Sequence, residues 1–304
     1  MIGVMPQAAT GPLEVFATGF ELPEYVVGFT LAEQDGWVSD AIGGNQVFEG
    51  HFPEIGQHGL IGFSKPEETT TSVSVWRPLN FDPVAAGYPV VTFTVVMSIV
   101  DSTNTLRRDS FRWSVYNTNS APTRLFSLDF DNATLSIAYL LDDDAGFVTV
   151  PFQFERDGLY DLAITMDFAT NQWNARLNDQ DVVTGQPITT AGAALHLGDV
   201  DAVWVRAAQN AEFGDNYMVF DDYRIVAAPA PAPRLVLVER RVDGTVVIQV
   251  EGAVGQRIAL EATEDLVTYT PLVTNSVPSS GSFPYEDTSA ASMVARFYRG
   301  RSVP

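Results

Sequence analysis

The stretch Tyr160-Asp161-Leu162-Ala163-Ile164-Thr165-Met166-Asp167-Phe168 decides the fold class. Leu162, Ile164 and Met166 fall on one side of a two-residue period, with Asp161, Thr165 and Asp167 on the other. That is the pattern of a β-strand with one face buried. Runs rich in β-branched and aromatic residues recur on both sides of it: Pro89 to Val100, Phe111 to Tyr116, Leu125 to Phe130, Thr134 to Leu141, Phe147 to Phe154, Gln172 to Leu177, Ala202 to Ala207 and Tyr217 to Val226. The breaks between them are turn clusters such as Asn117-Thr118-Asn119, Asp142 to Gly146, Asp157-Gly158 and Asn178-Asp179. No segment keeps a 3.6-residue apolar period beyond two turns. Many strands, short turns and no helices predict an all-β, two-sheet antiparallel sandwich. More than 200 residues in one such unit suits a jelly roll better than an immunoglobulin-sized module of about 100.

The chain has 304 residues, and its clearest boundary is Ala227-Ala228-Pro229-Ala230-Pro231-Ala232-Pro233. Alternating proline fixes φ and favours an extended spacer, so residues 227–233 are expected to link two folded units. The first would span 14–226, after an N-terminal extension over 1–13. The second, 234–304, repeats the strand grammar at Val236 to Arg241, Thr245 to Val250, Arg257 to Glu261 and Met293 to Arg299, with Asp243-Gly244 as a hairpin turn. It reads as a small immunoglobulin-like sandwich. Met1 to Thr10 reads either as the remnant of a secretory signal without its charged region or as an ordinary terminus.

Acidic residues number 38 against 17 basic ones, for a net charge of -21. Almost all of it belongs to residues 1–227, which carry 30 acids and 10 bases. Such a field repels phosphate backbones and anionic headgroups, which argues against nucleic-acid and membrane-surface partners. No apolar run approaches the roughly 20 residues that span a bilayer as a helix. With no cysteine, thiolate chemistry and sulfur-ligated zinc are excluded. Lys65 is the single lysine, a bias that fits either screening by salt or an arginine-favouring genome.

Phe16-Ala17-Thr18-Gly19-Phe20-Glu21-Leu22-Pro23-Glu24-Tyr25, with Gly28, Leu31 and Gln34-Asp35-Gly36-Trp37 after it, resembles the first strands of bacterial concanavalin A-like (LamG-type) jelly-roll domains. Gly214-Asp215-Asn216-Tyr217-Met218-Val219-Phe220-Asp221-Asp222-Tyr223-Arg224-Ile225 resembles their last core strand. The tail, with Thr263-Glu264-Asp265-Leu266 and Arg296-Phe297-Tyr298-Arg299, is similar to small C-terminal β-modules of secreted bacterial proteins. The resemblance implies a secreted or cell-surface protein and leaves the activity open, because this fold carries lectins, glycosidases, lyases and adhesins. It also implies a structural calcium ion where first and last strands meet. Glu21, Asp215, Asn216 and Asp221 are the expected oxygen ligands, against the alternative of a solvated acidic surface.

Signals for catalysis are weak. A jelly-roll glycosidase would place acids as Glu-x-Asp-x-x-Glu, and no such run exists. Asp129 and Asp131 share a strand face but sit beside a turn. His51, Glu54 and His58 fall within eight residues, a spacing that suits a metal or a loop of satisfied histidines. No serine elbow or phosphate loop occurs. Of five tryptophans, Trp113 and Trp204 lie in strongly apolar strands and Trp37 near the N-terminal turn. Trp76 and Trp173 have polar neighbours and are the candidate sugar platforms, core packing being the alternative. The expectation is a non-catalytic protein binding a neutral glycan or an extracellular matrix. The alternatives are a structural subunit that associates with copies of itself, residues 1–13 docking on a neighbour or on the small domain, and a divergent glycan-active enzyme.

Overall fold

The computed structural model describes residues 11–52, 56–67, 70–103, 107–118, 123–143, 145–207, 212–278 and 280–303. They fall into two compact units, the first closing at Ala228 and the second covering Pro229–Pro304.

The first unit holds fifteen strands among the described residues. They are β1 (Leu13–Thr18), β2 (Val38–Ser39), β3 (Asn45–Glu49), β4 (Gln57–Gly62), β5 (Ser72–Trp76), β6 (Val90–Val100), β7 (Ser110–Asn117) and β8 (Thr123–Asp131), then β9 (Ser136–Leu141), β10 (Val148–Gln153), β11 (Tyr160–Asp167), β12 (Gln172–Leu177), β13 (Gln180–Pro187), β14 (Asp199–Val205) and β15 (Tyr217–Ala228). An eight-stranded sheet runs β13-β12-β11-β6-β15-β4-β3, with β1 beside the second half of β15. A seven-stranded sheet runs β10-β9-β8-β7-β14-β5-β2. Every pairing is antiparallel. The result is an all-β antiparallel jelly-roll sandwich.

Alternation explains how the sheets face each other. On β6, Val91, Phe93, Val95, Met97 and Ile99 point inward; on β7, Phe111, Trp113 and Val115 do; on β14, Val200, Ala202 and Trp204 do. Trp113 sits at the centre, 5.0 Å from the Phe93 ring and 5.3 Å from Phe220. Its indole N–H meets Met97 Sδ at 3.2 Å. Tyr223 ties the two sheets by donating its hydroxyl to the Val200 carbonyl. Gly59 marks a close approach, since a Cβ there would lie 2.5 Å from the Phe220 ring.

The start and end of the first unit differ from the expected boundaries. Leu13 pairs with Ala227, and Ala227 also pairs with Val91 and is fully buried. The strand therefore continues through Ala227 and Ala228, because an extended alanine satisfies a β-ladder as well as it serves a spacer. Residues 1–10 of the proposed docking segment lie outside the described residues.

The second unit contains β16 (Arg234–Arg240), β17 (Val246–Glu251), β18 (Arg257–Thr263), β19 (Thr270–Ser276), β20 (Ser282–Asp287) and β21 (Phe297–Ser302). They form two three-stranded antiparallel sheets, β16-β17-β20 and β19-β18-β21. Val246, Ile248, Val250, Ile258, Leu260, Val277 and Phe283 make its core. The expected strand from Met293 begins only at Phe297. Thr288–Ser292 is instead a 3₁₀ turn, capped where the Asp287 side chain accepts from the Ser289 N–H.

Candidate functional site

The site is built on β14, Asp199-Val200-Asp201-Ala202-Val203-Trp204-Val205. Val200, Ala202 and Trp204 enter the core, so Asp199, Asp201 and Val203 occupy the outer face of the seven-stranded sheet. Asp199 and Asp201 lie two residues apart, about 6.5–7 Å between Cα atoms. The ladder places Asp199 opposite Tyr116 and Asp201 opposite Ser114 on β7. On the other side, Ala202 pairs with Val75, which sets Trp76 one step on, beside Asp201. Trp76 is half-buried, on the same face as Ser72 and Ser74, while Val73 and Val75 fill the core. Asp40, exposed, reaches this face by accepting the Ser74 N–H at 2.7 Å. Val38, paired with Trp76, and Asp40 also line a neighbouring groove of about 400 Å³ with Thr30, Ala32 and Ile42.

The electrostatics of this face are unusual. Asp201 is 5% exposed and Asp199 8%, and the Oδ1 atoms of both lack any donor. Burial, then the Asp199 charge, then Asp40, drive the Asp201 carboxyl well above the usual carboxylate range. Burial likewise raises Asp199, which Asp201 partly offsets by hydrogen bonding to it. Both carboxyls are thus held above the usual carboxylate range, since two adjacent like charges in a low-dielectric site oppose each other's ionisation. Burial and then Asp201 also raise the Tyr116 phenol. Two cations share this face: Arg112, paired with Asp129 and with its guanidinium 4.9 Å over the Phe147 ring, and Arg124, which donates to the Leu141 carbonyl and whose charge acts on Tyr116.

The expected site residues are dispersed. Trp173, a proposed platform, is fully buried, stacked on Phe126 with centroids 4.0 Å apart. It presents no face to a sugar, because its polar neighbours Gln172 and Asn174 point the other way. Trp76 keeps partial exposure. Asp129 is bound to Arg112, and Asp131 caps the turn at Ala133, so these two form no acid pair. His58 Nε2 accepts the His51 N–H at 3.1 Å; Glu54 lies outside the described residues.

The four oxygen ligands expected for calcium do not converge. Asn216 is fully buried and spends both side-chain atoms: its oxygen accepts from Asp109 N–H and Asn132 Nδ2, and its nitrogen donates to Asp109. Asp215 accepts from Ser102 and Thr103. Asp221 stands four residues beyond Tyr217 along β15, about 13 Å from it measured at the strand rise. There its carboxyl feels Glu21, which is itself engaged by the backbone and side chain of Gln57. No group of three or more His, Asp or Glu poised for a metal occurs among the described residues.

No family model and no curated protein matches this sequence. Solved structures similar to it include a carbohydrate esterase from the Shiga toxin-encoding bacteriophage phi24B (11% identity, 72% of this chain, 100% of that one, TM-score 0.48). Lectin II from Ulex europaeus aligns at 12% identity over 66% of this chain and 95% of its own, with TM-score 0.44. A sialidase aligns at 10% identity over 62% of this chain, TM-score 0.42, and the chain spans only 17% of that protein's length. At these values the similarity transfers no activity, ligand or site residue.

Proposed function

We propose that the first unit binds glycan, without catalysis, through the outer face of the seven-stranded sheet. One observation carries this reading: the partly exposed Trp76 lies on the outer face of the seven-stranded sheet, paired with Val38, which with the exposed Asp40 lines the neighbouring groove. An indole face stacks on a sugar ring, and carboxylate oxygens accept from sugar hydroxyls. The net charge of residues 1–227 supports an uncharged or cationic glycan over an anionic one. We read the chain as secreted or cell-surface, where such glycans are met. The second unit fits an immunoglobulin-like spacer or attachment module: its first, second and fifth strands form one sheet and its third, fourth and sixth the other.

Retention on immobilised glycans tests this. Wild type should be retarded by at least one neutral or amino glycan, and Trp76→Ala should lose that retardation with its melting temperature unchanged. Silence of the intact protein across a glycan array would refute the reading.

A further inference from the structure

The second unit turns an apolar end to solvent. Its pairings set Val246 of β17 opposite Asp287 of β20, and Thr263 of β18 opposite Phe297 of β21. β17 passes into β18 through the short turn 252–256, so the connections 241–245, 264–269 and 288–296 all lie at the other end of this sandwich. Two of them touch, since a Cβ on Gly244 would lie 2.8 Å from Ala291 Cα. Their tips are aliphatic. Val242 and Val294 are fully exposed, Val267 is 81% and Leu266 57% exposed, and Phe297, where β21 begins, is 43% exposed. At the opposite end Val277 is folded into the core and Val254 is 38% exposed. Single apolar side chains scattered on a surface are ordinary, but five gathered on neighbouring loops mark an interaction site.

These loops satisfy much of their own backbone. Asp265 accepts the Val267 and Thr268 N–H groups at 2.8 Å each, and Asp243 accepts the Thr245 N–H at 3.0 Å. Gly244 N–H donates to the Arg241 carbonyl and Met293 N–H to that of Ala290. Donors met inside a turn lower the cost of carrying it into an apolar layer. Points protruding from separate loops lack the close-packed, complementary core of a protein interface, whereas a fluid headgroup layer closes around them and binds by the apolar area it takes in. Charge selects the lipid. The acid excess belongs to residues 1–227, while residues 228–304 carry 8 acids and 7 bases. Near the tips Arg241 is paired with Glu239 and Glu286, and Arg296 with Asp287. Arg240 is the remaining base, against Asp243, Glu264 and Asp265. A net negative rim repels anionic headgroups and suits the choline cation of a zwitterionic one. We propose that this end of the second unit inserts Val242, Leu266, Val267 and Val294 into the interface of a zwitterionic lipid surface, an attachment independent of the glycan reading.

The test is flotation of the intact chain with phosphatidylcholine vesicles, with and without added phosphatidylglycerol, in low and high salt. Wild type should float with pure phosphatidylcholine, keep that binding in high salt, and lose part of it when phosphatidylglycerol is added in low salt. Val242→Ser should lower the partition coefficient about tenfold, the worth of one buried valine side chain. Val242→Ser combined with Val267→Ser and Val294→Ser should abolish flotation. All three positions lie outside the core, so the thermal melt of the intact chain should not move. Failure of wild type to float, or flotation retained by the triple variant, would overturn the proposal. Binding that rises with phosphatidylglycerol would do the same. A wild-type dimer in sedimentation that the triple variant dissolves, without flotation of either, would overturn it in favour of association between copies of this chain.

Discussion

Asp221→Asn is the sharpest perturbation available in the first unit. Asp221 is 1% exposed on β15, and burial lifts its carboxyl from 3.8 to about 7, with the charges of Asp222 and Glu21 adding to the rise. A raised carboxyl means that the folded state holds a proton which the unfolded chain releases. The stability contributed by this group is full below 3.8 and is lost as pH rises through 7. Three pKa units at 1.36 kcal/mol each set a ceiling of about 4 kcal/mol, and partial relaxation leaves about 2–4 kcal/mol as the expected cost of ionisation. Asparagine removes that cost and keeps the acceptor for the Asp222 N–H, which meets Asp221 Oδ1 at 2.7 Å. All five tryptophans, at 37, 76, 113, 173 and 204, belong to the first unit, so tryptophan fluorescence during urea unfolding reports that unit alone. The variant should exceed wild type by about 2–4 kcal/mol at pH 8, a Tm gain of roughly 5–10 °C, and match it at pH 4. A variant less stable than wild type at pH 8, with the deficit appearing only when calcium is present, would refute the argument. It would show the carboxylate to be a cation ligand, as the family resemblance implied.

Trp173→Ala should cost about 3–5 kcal/mol, the usual price of truncating a core tryptophan, whereas Trp76→Ala should stay within about 1 kcal/mol; paired unfolding curves decide. Neutral His58 accepts the His51 N–H, and burial followed by the His51 charge lowers its pKa below 6.5. Acidification from 6.5 downward should therefore draw stability from the first unit at this site, and His58→Gln should flatten that contribution to a pH-stability curve. Asn216→Leu removes one of four donors to the Asp109 carboxylate and leaves the buried Asp109 N–H and Asn132 Nδ2 without their acceptor. Loss of about 3 kcal/mol or more in the same assay is expected.

Most of the sandwich was legible because its inner strands alternate strongly: β6, β7, β11 and β15 fall within a residue or two of the runs read from the sequence. β2, β5 and β13 escaped reading, as did β3 and β4, which carry Asn45, Gln46, Gln57 and His58 and two glycines among few β-branched residues. The stability of these last two comes from tertiary contact, since Phe52, Leu60 and Val219 form a second small core on the outside of that sheet. Trp173 was misjudged from its neighbours' polarity, although the two-residue period already set Gln172 and Asn174 opposite it. Asp199 and Asp201 were readable by the same period in Asp-Val-Asp-Ala-Val-Trp-Val. Their significance was hidden, because nothing in the sequence tells a solvated strand acid from one packed against another acid with no base in reach.

The two outer faces of the sandwich are treated oppositely, and the contrast bears on function. The eight-stranded sheet covers part of its outer face with Phe52, an ordinary hydrophobic solution. The seven-stranded sheet leaves Asp199 and Asp201 packed together where folding would favour neutral residues. Groups that oppose stability at a strand face are retained where binding or chemistry needs them. If that holds here, Asp199→Ser with Asp201→Ser should raise the stability of the first unit above neutral pH and abolish ligand retention in the same protein. The pair's folded-state pKa values lie above 3.8, so the gain should grow as pH rises and disappear in acid. A double variant that loses stability at pH 8 would mean that the carboxyls hold the sheet together, and their place at the site would then have a structural cause alone.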